Sequence, residues 1–237
     1  MAQIGPVKEK IVKRKTIVYK TLVDPTVVKV AGEKLKLKLF ARLGFLKPKS
    51  EDIEFVSIEK YYEPYILINA EYTIDYYRKQ IYVLSVEERV REVIIARQKF
   101  KPEKSEGSYA KGHNLIKLNG EENLRYKDKV SLILDRTGHE VALERLSSAP
   151  SEEMPEKVLA ELGDKARKLE ISPDSDVDIV RSKIMKRPKD ARRITHELFE
   201  VDERALIYTP IYNVQYRNLN TGEVKALKFD GITSKRI

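Results

Sequence analysis

"YYEPYILINAEYTIDYYRKQIY", residues 61–82, is the stretch that decides the fold. Its β-branched and aromatic residues have strand composition, yet Pro64 stands inside it. A second stretch, "YTPIY" (208–212), places Pro210 in the same Tyr-x-Pro setting. Proline donates nothing to a sheet ladder, so it belongs on an edge, at a strand's first residue or at a bulge. Two such prolines in one chain raise the expectation that one structural unit occurs twice.

A second pair of anchors points the same way. Pro25 follows Asp24, and Pro173 follows Ser172. Asp and Ser are good helix N-caps, and proline fits the first helical turn, where its missing N–H costs no hydrogen bond. From Pro25 to Pro64 is 39 residues and from Pro173 to Pro210 is 37. Each copy then reads as a helix, a connector and a Tyr-x-Pro strand. The expected fold class is α+β: two related helix-on-antiparallel-sheet units with an intervening β-hairpin region and an acidic helix. The expected domains are a basic unit over 1–103, a middle region over 104–170 and a second copy over 171–237.

Within the first copy, Val28, Ala31, Leu35, Leu39, Leu43 and Leu46 share one face at helical spacing. "KLKLKLF" (34–40) also alternates as a strand would; the Asp24 cap favours helix, Gly32 opposes it, and Gly44 and Pro48 supply the stop. Strands are expected over 53–100, with a turn near Arg78 and Lys79. A hairpin is expected at Asn119-Gly120, a strong turn dipeptide, and further turns at Asp135-x-Thr-Gly, Asn220-Thr221-Gly222 and Asp230-Gly231. Ala149-Pro150-Ser151 is expected to open an acidic helix running to about Leu169.

A helix followed by antiparallel strands and an Asp-x-Thr-Gly turn resembles the PepSY-type, cystatin-like small domains. "FDGITSKRI" (229–237) fits their turn pattern with Ser234 where glycine is usual, and "LDRTGHEV" (134–141) fits with one residue fewer. The resemblance covers 173–237 and, more loosely, 25–100. It implies a binding, inhibitory or sensory module rather than a catalyst.

Chemistry-bearing motifs are few. The chain has no Cys, which removes disulfides, Cys-based zinc sites and thiol nucleophiles. His113, His139 and His196 form no metal-ligand spacing. "DSDVD" (174–178) alternates acids as calcium loops do, but Ile179 and Met185 stand where such a loop needs Gly and Glu. Acids favoured at a helix N-terminus explain it better. Phosphate-loop and nucleophile-elbow patterns are missing. The expectation is a protein without catalytic residues, cofactor or metal.

Charge and tyrosines carry the partner expectation. Net charge is +9, and residues 1–50 hold 13 Lys and Arg against Glu9, Asp24 and Glu33, leaving a net of −1 on the other 187. With 35% charged residues, the composition resembles that of thermophile proteins and points to an archaeal-type source. No apolar run approaches a membrane span, and the basic N-terminus lacks a signal peptide's apolar core, so cytoplasm is the expected compartment. A binding or adaptor role is expected, with a protein partner reached through sheet edges and a tyrosine-rich face. The alternative is nucleic acid or ribosome, held by stacking and phosphate contacts. Candidate contacts are Tyr61, Tyr65, Tyr72, Tyr76, Tyr77, Arg78 and Lys79, with Lys29, Lys36 and Arg42 on the basic helix. Parity puts Tyr62, Tyr72, Tyr76 and Tyr82 on one strand face and Tyr61, Tyr65 and Tyr77 on the other.

Overall fold

The computed structural model describes residues 7–41, 48–104 and 113–237. The class is α+β. In chain order the elements are β1 (Lys8–Ile11), β2 (Lys15–Val18), α1 (Pro25–Phe40), β3 (Ile53–Glu87), β4 (Val93–Ile95), β5 (Gln98–Phe100), β6 (Glu103–Lys104), β7 (His113–Leu134), β8 (Glu140–Val141), α2 (Pro155–Leu162), α3 (Ser175–Ile184), β9 (Arg193–Asn218) and β10 (Val224–Asp230). Strands order as β1-β9-β3-β7-β6, with β2 and β10 also on β9 and β8 on β7; β4 and β5 form a separate hairpin.

The chain forms two compact units. The larger comprises Lys10–Glu71, Lys129–Ile184 and Glu200–Ile237; the smaller comprises Met1–Glu9, Tyr72–Asp128 and Met185–Phe199.

In the larger unit, α1 starts where the sequence places it. Asp24 Oδ1 accepts the Thr26 N–H at 2.8 Å, and Pro25 opens the helix. Its apolar face lies on the C-terminal half of β9 and on β10: Val28 and Phe40 join Ile53, Tyr212, Val214, Tyr216, Leu227 and Phe229, with Ala31, Leu35 and Leu39 packed against them. Gly32 permits this approach, because a Cβ there would lie 2.5 Å from Tyr216 Oη. The helix closes at Ala41; the expected Leu43, Leu46 and Gly44 lie outside the described residues. β2 runs parallel to β9, with Val18 opposite Tyr208.

Tyr62 and Tyr208, each two residues before a strand proline, accept backbone bonds in this unit. Tyr19 N–H donates to Tyr208 O, and Arg167 N–H donates to Tyr62 O, both at 3.0 Å. Three residues further on, Leu22 N–H reaches Gly231 O at 3.0 Å and Glu170 N–H reaches Arg136 O at 2.8 Å. Gly231 and Arg136 each follow the aspartate of a turn. In those turns Asp230 Oδ1 accepts from Ile232 and Thr233 N–H, and Asp135 Oδ1 accepts from Thr137 and His139 N–H. Gly138 takes φ +86° in one turn and Ser234 takes φ +59° in the other. Two carboxylates also fix the start of α3. Asp176, fully buried, receives Arg204 through two hydrogen bonds of 2.7 Å, and Asp174 meets the same guanidinium at 3.1 Å.

In the smaller unit, Tyr72, Ile74, Tyr76, Ile116 and Phe199 are buried. A polar cluster sits among them: Tyr72 Oη donates to Glu197 Oε1 at 2.7 Å, and Arg187 donates to both Glu197 oxygens at 2.8 and 2.7 Å. The Tyr72 hydroxyl is pushed up by burial and by its bond to the carboxylate. Burial raises the Glu197 carboxyl too, but its bonds from Arg187 and Tyr72 outweigh that and hold it below the ordinary glutamate range.

Two expected breaks are absent, and one expected helix is shortened. Arg78 and Lys79 make no turn, because β3 continues to Glu87. Asn119-Gly120 makes no hairpin either, since β7 runs unbroken from His113 to Leu134. Gly120 is a cross-strand seat instead: a Cβ there would lie 2.8 Å from the Tyr82 ring. The acidic helix is shorter than expected, running from Pro155 to Leu162 and capped by Gly163, whose φ is +52°. The turns at Asp135, at Asn220-Thr221-Gly222 and at Asp230 stand where the sequence puts them.

Candidate binding surface

Alternation along β3 fixes where its tyrosines go. From Tyr62 to Tyr76 every even-numbered residue is buried, so Tyr62, Tyr72 and Tyr76 are core. Tyr65, on the opposite face, is buried as well. Tyr61 and Tyr77 are half-buried, and each ring carries an arginine. The Arg167 guanidinium lies 4.0 Å from the Tyr61 centroid, and that of Arg193 lies 4.0 Å from the Tyr77 centroid. Such stacking takes the ring face that a base would need. Burial raises the Tyr61 hydroxyl.

The candidate cations are largely engaged. Arg78 donates to Glu122 at 2.8 Å and to Asp190 at 3.2 Å. Lys36 Nζ donates to Ile53 O at 3.1 Å and pairs with Glu33 at 2.9 Å. Lys29 lies over the Phe55 ring at 4.3 Å. Lys79 is exposed, and Arg42 lies outside the described residues. Of the nine candidates among the described residues, all but Lys79 are therefore buried, stacked or already engaged.

An open groove of about 630 Å³ in the larger unit is walled by Lys60, Tyr61, Asp164, Lys165, Arg167 and Asn213, among others. Its charges are mixed, and Arg167 is held by Glu63 at 3.1 Å. Among the described residues, no three His, Asp or Glu side chains come together as a metal site, and no helix is long and apolar enough to cross a membrane.

The far end of β3 behaves differently. Ile81 is 56% exposed, Tyr82 43%, Val83 53% and Leu84 41%. Four consecutive apolar residues therefore reach solvent on both faces of one strand. The backbone explains the open side. Arg192 N–H donates to Tyr77 O at 2.8 Å, immediately before β9 begins at Arg193. The β9 ladder thus stops near Tyr77 while β3 continues to Glu87. The bond at Tyr77 also sets the parity: odd-numbered residues of β3 turn their N–H and C=O toward the side that, among the described residues, β9 has left. Even-numbered residues face β7, and Gln80 O accordingly lies next to Gly120. On the β7 side Tyr82 is anchored, its hydroxyl donating to Glu122 Oε1 at 2.8 Å.

Reading the sequence alone missed Ile81, Val83 and Leu84 as a surface. The signal was the run "IYVL" itself, because four adjacent apolar residues cannot all share one buried face. No family model matches this chain, and neither a curated protein nor a solved structure matches it.

Proposed function

We propose that this protein is a non-catalytic binding or adaptor protein that holds an extended protein segment along the outer edge of β3, between Lys79 and Glu87. One observation carries this reading: Ile81, Tyr82, Val83 and Leu84 are exposed together on a strand whose β9 ladder has ended. Edge strands with unused N–H and C=O groups add a further strand readily, and soluble proteins ordinarily blunt them with charge, proline or a bulge. Here the middle of the edge carries no such device. Main-chain bonds supply affinity in this mode, and the alternating side chains supply selectivity.

The proposal extends to architecture. The two proline-marked segments descend from one duplicated helix-on-sheet unit, in keeping with the PepSY-like resemblance, although α1 of the first segment packs on Tyr212, Val214, Leu227 and Phe229 of the second rather than on its own strands alone. Support comes from the matched bonds at Tyr208 and Tyr62, at Gly231 and Arg136, and from the paired aspartate turns. Both copies belong to a module whose sheet is its working surface. The nucleic-acid alternative draws less support, because Tyr65, Tyr72 and Tyr76 are buried and Tyr61 and Tyr77 are stacked by arginine.

The test is selection of extended peptides from a displayed library on the purified chain, followed by comparison with Val83→Pro. Val83 N–H faces the open side, so proline removes an edge donor without touching the β7 ladder. Peptides that bind the parent and lose binding to Val83→Pro support the reading. It is overturned if both proteins select the same peptides or none. Tight oligonucleotide binding that falls steeply with salt would replace it with the alternative.

A further inference from the structure

The sequence at this edge is complementary to itself. Setting a second copy antiparallel to the first with Val83 opposite Val83 puts Lys79 opposite Glu87 at both ends of the pairing. Ile81 falls opposite Ser85, Tyr82 opposite Leu84, and Gln80 opposite Val86. Shifting the axis to Tyr82 sets Lys79 against Ser85 and loses the charge match. Backbone parity permits the Val83 register. Odd-numbered residues face the open side, so Val83 with Val83, Ile81 with Ser85 and Lys79 with Glu87 are hydrogen-bonded pairs of an antiparallel ladder.

We infer that the occupant of the β3 edge is a second copy of this chain, joined as a two-fold dimer through Lys79–Glu87. The inference rests on the binding role proposed for this edge and names its partner. In the dimer Tyr82 and Leu84 of both copies form one apolar patch on one sheet face. Ile81 and Val83 of both copies form another on the opposite face, so every exposed apolar side chain of the run gains an apolar neighbour. Opposite charges placed directly across strands stabilise the pairing and like charges disfavour it, which fixes the register. A two-fold contact of this kind is closed: each edge is consumed by its twin, and no open row of strands is left to propagate.

Sedimentation equilibrium of the full chain, from micromolar to near-millimolar concentration at low salt, tests this. The parent is expected to show a reversible monomer–dimer equilibrium, and Val83→Pro is expected to stay monomeric with an unchanged circular dichroism spectrum. Lys79→Glu and Glu87→Lys each place like charges opposite one another at two symmetric positions and are expected to weaken the dimer about tenfold. The double variant restores the match and is expected to return near the parental constant, a result that misfolding cannot imitate. A parent that stays monomeric throughout overturns the inference, as does self-association indifferent to Val83→Pro, or a double variant no better than the singles. If library peptides still bind the edge of a monomeric parent, the binding role stands and only the second copy falls. If neither peptides nor copies bind, both fall.

Discussion

Replacing Gly32 with alanine should test the packing of α1 most sharply. Alanine at a mid-helix position is ordinarily favourable by about 1 kcal/mol over glycine. Here the new methyl would sit 2.5 Å from Tyr216 Oη and 3.3 Å from its Cζ. Tyr216 is fully buried and cannot swing out to solvent. Overpacking of this kind costs roughly 1–3 kcal/mol, so Gly32→Ala should destabilise the chain by about 1 kcal/mol net. Tyr216→Phe removes the clashing oxygen and leaves the ring at a tight but tolerable distance. In that background Gly32→Ala should become neutral or stabilising by up to about 1 kcal/mol. Urea unfolding of all four proteins, followed by circular dichroism, gives the coupling directly. A Gly32→Ala chain more stable than the parent, or a cycle that is additive within about 0.5 kcal/mol, would refute the close approach of helix and sheet.

Three other outcomes are expected. Asp176→Ala leaves the Arg204 guanidinium, 9% exposed, without its principal partner, and should cost about 3 kcal/mol or more in the same assay. Glu197 titrates below the ordinary glutamate range in the folded chain, so its contribution is present above that range and is lost as pH falls through the folded value; unfolding measured from neutral to acid pH should show this loss, and Glu197→Gln should flatten it. Ser234 holds φ +59°, where a side chain is strained, so Ser234→Gly should raise the melting temperature, with a gain of about 0.5–1 kcal/mol.

Local chemistry made the caps and turns legible. Asp24-Pro25 named the start of α1, and the Asp135 and Asp230 turns were readable because a short acidic side chain accepts its own downstream N–H groups. The parity of tyrosines on β3 was equally plain, since side chains alternate strictly along a strand. Long-range facts were not readable. Arg78 looked like a turn because strands usually run to five or six residues, and nothing local announces a strand from Ile53 to Glu87. Gly120 followed an asparagine and mimicked a hairpin, while its real use, a seat for the Tyr82 ring, depends on a residue 38 positions away. The helical stripe Val28, Ala31, Leu35, Leu39 revealed that α1 buries a face. It did not reveal that the covering surface is Tyr212, Val214, Leu227 and Phe229. The candidate site divides the same way: its tyrosines were visible as strand residues, but which ones solvent could reach depended on neighbouring strands.

The placement of α1 has a consequence for biosynthesis. Its covering strands and the β9 partner of β2, Ala205–Tyr208, are translated some 190 residues after β2. At about 5–20 residues per second, the ribosome delivers those strands roughly 10–40 s after the helix emerges. Through that interval the nascent helix has an uncovered apolar face, and chains released before Phe229 cannot complete this core. Folding of this core therefore waits for β9 and β10 to be made, and a chaperone that shields amphipathic helices should raise its yield.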